Sequence, residues 1–289
     1  MSDALATRSE ILKLARLLER DPDTLSYLDQ VPADDIRALR ELTTERLFDA
    51  GSGVLSRIAL ASRVIPTGLM ATLAQRTFGP FLTARIAGEV DPGRAVDVAA
   101  KLPPPFLADV AIDLDPRRAH SLIGQLPPEL IAEVTTELTR REEYVTMGRA
   151  VGHIAPEGLR AALSSMTDGE LLAVAFVIED KSALDGLIDE LGPDRLEGVL
   201  AAAADDGQWL EALDLFASLS GARAEMVANA VAGSDERVLD SLIAAAVDHE
   251  LADLLLPMLE LLDPEARERV AARLPESLQP SSSEVRSNP

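Results

Sequence analysis

The sequence contains no cysteine. That excludes a disulfide framework, a thiolate metal site and a cysteine nucleophile together. Aromatic residues are only 3% of it, which disfavours a large sheet, because strands draw on aromatic and β-branched side chains. Positive charge is scarce: 27 Lys and Arg stand against 49 Asp and Glu, a formal net charge of -22. A phosphate backbone needs a cationic footprint, so nucleic acid is not expected as a partner. Long apolar runs are missing as well. The longest candidate, between Arg63 and Arg76, is interrupted by Pro66 and Gly68, and it falls short of the roughly 18 to 20 apolar residues of a membrane span. Residues Met1 to Arg20 lack the apolar run and small-residue cleavage site of a secretory signal, so a cytoplasmic protein is expected.

What is present is aliphatic. Hydrophobic residues make up 47% of the chain, nearly all Ala, Leu, Val and Ile, a composition suited to helix packed on helix. An internal repeat is visible. The segment Asp91-Pro92-Gly93-Arg94-Ala95 through Leu102-Pro103 returns 24 residues later as Asp115-Pro116-Arg117-Arg118-Ala119 through Leu126-Pro127. Each copy carries its own punctuation. Aspartate can cap free amides of a first turn, and proline in the next position has a fitting φ and no N–H to leave unpaired. Ala119, Leu122, Ile123 and Leu126 then form one apolar stripe, and Leu107, Val110, Ala111 and Leu114 form that of a following helix. Related Xaa-Pro starts occur at Ala155-Pro156, Gly192-Pro193 and Asp263-Pro264. Helices are also expected over 10–19, 35–48, 53–64, 69–76, 81–87, 170–178, 183–191, 209–219, 223–231, 237–247 and 251–262, and no convincing strand is found.

The fold expected is therefore all-α, a superhelical, solenoid-like array of short antiparallel helix pairs. Three regions are expected: an N-terminal helical region, 1–88; an acidic helical-repeat region, 89–275, continuous with it; and a Ser- and Pro-rich tail, 276–289, expected to be disordered. Over residues 90–138 the pattern Leu-Asp-Pro-x-x-Ala-x-x-Leu-x-x-Leu-Pro-Pro resembles the superhelical N-terminal domain of the magnesium transporter MgtE and the related short-helix repeats of FliG. The resemblance implies a soluble helical relative; the chain lacks a transmembrane bundle, and no metal-ligand set maps onto it.

Residues patterned for chemistry are few. His120, His153 and His249 are too far apart to share a helix face and read as surface or half-buried structural residues. Neither a Gly-x-Ser-x-Gly turn nor a phosphate-cradling glycine loop occurs; Gly51-Ser52-Gly53 reads as a corner. No catalytic activity is expected. Carboxylates at Asp205-Asp206, Asp235-Glu236 and Asp248, Glu250, Asp253 offer oxygen ligands for Mg²⁺ or Ca²⁺ but no EF-hand spacing. One composition shift stands out. Between Asp49 and Glu89 there is no acidic residue, only Arg57, Arg63, Arg76 and Arg85 among apolar residues. A buried helix pair, a protein-docking surface and a peripheral membrane contact all fit this segment. The leading expectation is a non-catalytic scaffold or adaptor whose partner meets these four arginines. A Mg²⁺-responsive regulatory module and association with a membrane or another apolar surface are the alternatives.

Overall fold

Proline and aspartate write many of the helix starts. Asp91 accepts a hydrogen bond from the Arg94 amide at 3.1 Å, and Asp263 accepts one from the Ala266 amide at 2.7 Å, each with proline as the next residue. Pro104, Pro128 and Pro156 open three further helices, where an N–H would have no partner in any case. The computed structural model describes residues 2–49, 64–248 and 252–275. Among these there are seventeen α-helices and no strand. Residues 53–63 of the helix expected over 53–64, and the tail 276–289, lie outside the described residues.

The chain divides into two compact units, Ser2–Ala183 and the part from Leu184 onward. The compositional boundary at residue 88 is therefore not a packing boundary, because helices on its two sides pack on one another. The first unit opens with α1 (Ser2–Leu17), a 3-10 helix (Pro22–Leu28) and α2 (Ala33–Asp49). Ile11, Leu14, Ala15, Leu25 and Ile36 form the apolar cluster of this hairpin, with Leu28 and Val31 at its edge.

There follow α3 (Thr67–Leu73), a π-helical turn (Ala74–Phe78), α4 (Gly79–Ala87), α5 (Pro92–Ala99), α6 (Pro104–Asp113), α7 (His120–Ile123), α8 (Pro128–Arg140), α9 (Tyr144–Ala150), a second 3-10 helix (Val151–His153), α10 (Pro156–Ser164) and α11 (Asp168–Phe176). Their contacts skip by two. α4 packs on α6, α6 on α8 and α8 on α10, while α3 packs on α5, α5 on α7 and α7 on the second 3-10 helix. Apolar stripes repeating every 24 residues produce this, since equivalent faces recur in every second helix.

The second unit holds α12 (Ala183–Asp205), α13 (Trp209–Ala217), α14 (Gly221–Gly233), α15 (Glu236–Asp248), α16 (Ala252–Glu260) and α17 (Pro264–Ala271). α12 is two helices joined at a kink: Gly192, with φ 71°, breaks it just ahead of Pro193, where the sequence places a new start. Trp209 is buried and donates to the Ser241 hydroxyl at 3.0 Å. Side chains tie elements about one helical hairpin apart. Arg223 meets Asp189 at 2.6 Å, 34 residues earlier, and Arg273 meets Asp240 at 3.0 Å, 33 residues earlier.

Candidate protein-binding surface

Of the four arginines singled out by the sequence, Arg57 and Arg63 lie outside the described residues. Arg76 stands exposed on the π-helical turn. Arg85 is half-buried on α4, its guanidinium 5.7 Å from the centre of the Phe81 ring, a cation–π distance. The acid-free stretch is two-faced. Ala71, Ala74 and Leu102 cluster inward with Val98, Phe106 and Leu107, and Met70, Ala84 and Ile86 are buried too. Outward it leaves Val64, Leu69 and Phe81 exposed by 86%, 52% and 60%. Among the described residues, α3 and α4 are therefore buried on one face only. The extra residue of the π-turn and the positive φ of Gly79 (72°) reset the helix phase between the two faces.

A second feature escaped the sequence altogether: a charge cluster closed inside the first unit. Glu10 is 1% exposed and accepts from Lys13 (2.9 Å) and Arg40 (3.2 Å), themselves 2% and 4% exposed. Arg40 donates also to Glu179 at 2.9 Å, Ser9 to the Phe176 carbonyl at 3.3 Å and Lys13 to the Ile178 carbonyl at 3.4 Å. Arg16 holds Glu143 through two bonds of 2.8 and 3.0 Å. The hairpin α1–α2 is thus tied to α9 and to the C-terminal end of α11, whose last carbonyls lack intrahelical donors.

Burial pushes the Glu10 carboxyl up, but Lys13, Arg40 and Arg37 outweigh it and hold the pKa below the ordinary value. Burial raises Glu179 likewise, and Arg40, Arg149 and Arg117 more than reverse the effect. Lys13 and Arg149 go the other way: burial depresses both, and their carboxylate neighbours do not restore them. With every carboxylate already held by cations and little exposed, the cluster offers no free base to a substrate. Its chemistry is cross-linking. Sequence spacing missed it because Glu10, Lys13 and Arg40 become neighbours of Glu179 only through tertiary packing.

The histidines stand apart from this. His120 is exposed, between the Arg117 carbonyl at 3.0 Å and the Ser121 hydroxyl at 2.9 Å; His153 is half-buried, and burial lowers its pKa; His249 lies outside the described residues. No group of three or more His, Asp or Glu suited to a metal ion occurs among the described residues. Three of the paired carboxylates already have partners. Asp205 meets Arg237, Glu236 meets Arg273 at 2.6 Å, and Asp235 caps the Val238 amide at 2.9 Å.

The chain matches no protein-family model, no curated protein and no solved structure. Among the described residues no helix is long and apolar enough to cross a membrane.

Proposed function

We propose that this chain is a non-catalytic helical-repeat scaffold that binds a protein partner through the acid-free surface of α3, the π-turn and α4. The observation that carries this reading is the exposure of Leu69 and Phe81 beside Arg76, in a stretch with no carboxylate to repel an acidic partner. Interface cores favour aromatic and arginine side chains in such apolar settings. The skip-by-two packing of α3 to α10 supports a superhelical array with a continuous outer face, as does the resemblance of residues 90–138 to the MgtE and FliG repeats.

The test is affinity capture from the native cell with the full chain, at moderate salt, against the variants Phe81→Ala and Arg57→Glu/Arg63→Glu/Arg76→Glu. The expected result is a stoichiometric protein partner that both variants lose. The same set of captured proteins with all three chains would overturn the assignment. Liposome flotation separates the membrane-surface alternative. A thermal shift in Mg²⁺ beyond an ionic-strength control would revive the cation-responsive one.

A further inference from the structure

The helix α2 is inside out. Its buried face carries Ile36, Arg40 and Thr44, whereas Asp35, Leu39, Leu42 and Arg46 face solvent, with Leu39 and Leu42 52% and 65% exposed. The helix cannot roll to bury the leucines, because Arg40 is held between Glu10 and Glu179. The outward residues are spaced four, three and four apart, which makes one stripe along three turns, the spacing with which two helices mesh.

The stripe is complementary to itself. Laid antiparallel on an identical stripe about a two-fold axis, Leu39 meets Leu42 of the other copy, Leu42 meets its Leu39, and Asp35 and Arg46 pair at both ends. Neither Asp35 nor Arg46 has an ion-pair partner among the described residues. A two-fold contact requires this relation, in which residue i meets j and j meets i.

We infer that α2 is a homodimerisation helix and that its occupant is α2 of a second copy of this chain. The surface is separate from the one proposed above for a partner, so the scaffold would present two partner sites. The stripe spans about 16 Å, and such a contact is smaller than the ~1,200 Å² of standard interfaces, so the dimer is weak and concentration-dependent.

Sedimentation equilibrium of the full chain, taken up to about 0.5 mM, tests this. The wild type should form a dimer. Asp35→Arg alone and Arg46→Asp alone each set like charges opposite one another twice, and each should weaken association at least about tenfold. An equimolar mixture of the two variants pairs Arg with Arg at neither end and should recover the dimer, as should the double variant Asp35→Arg/Arg46→Asp. Both positions are exposed, and circular dichroism checks that the singles stay folded; recovery on mixing reports the same. A wild type that stays monomeric, a dimer indifferent to the single substitutions, or no recovery on mixing would overturn the inference.

Discussion

At Gly148 the backbone of α9 approaches the turn after α11 so closely that a Cβ there would lie 2.8 Å from the Val177 carbonyl oxygen and 2.9 Å from its carbon. Neither is the end of a flexible side chain, so the two segments would have to separate. Gly148→Ala is expected to lower stability by about 1–3 kcal/mol, visible as a lower urea midpoint at unchanged slope. Nothing in the sequence singles out this glycine. Trp209, the chain's one tryptophan, is buried and anchors α13 through its bond to Ser241. The half-buried position of His153 depends on the 3-10 helix after α9, and neither of these elements is patterned strongly enough to be expected from the sequence.

Among the elements, starts were more legible than ends. Asp-Pro and Xaa-Pro pairs locate helix starts because a cap and a fixed φ act within four residues, with no help from the rest of the fold. Asp263→Ala should therefore remove about 1 kcal/mol, read as a lower melting temperature, while Asp263→Asn or Asp263→Ser should retain most of it. The second repeat is looser than its sequence suggests. Asp115 does bond the Arg117 amide at 3.1 Å, yet residues 116–119 form turns and α7 begins only at His120. The side chain of Asp115 is 5% exposed and faces both Arg117 and Arg118, so its carboxylate serves two demands at once. The helix expected over 69–76 ends as α helix at Leu73 and continues as a π-turn. The wider turn shifts the apolar phase by one residue over only five positions, too short a stretch for periodicity to register.

In the whole molecule the charge is divided as unevenly as the sequence indicates, but burial sorts it differently. Much of the acidic surplus is solvated, whereas Glu10 and Glu179 are locked among cations within the first unit. This makes that unit sensitive to acid. Both carboxyls would titrate near 4.5 if unperturbed, and both titrate lower when folded. Between the folded and unfolded values the unfolded chain holds more protons, so falling pH favours unfolding. Their contribution is complete above the unfolded value and is lost as pH falls through the folded ones. Unfolding followed by the hydrogen exchange of α1, α2 and α11 should show loosening there as pH drops below about 4.5, and Glu10→Gln should flatten that dependence. Identical pH profiles in the two chains would count against the cluster. By itself the sequence determined the helical class, the caps, the 24-residue repeat and the acid-free stretch, because caps and stripes are set by residues within a turn or two of each other. Only tertiary structure decided which face of α2 and of α3–α4 meets water and which charges are interred, because those depend on side chains well beyond a turn or two, some 30 residues away for α3–α4 and more than a hundred for Arg40 and Glu179, competing for the same interior.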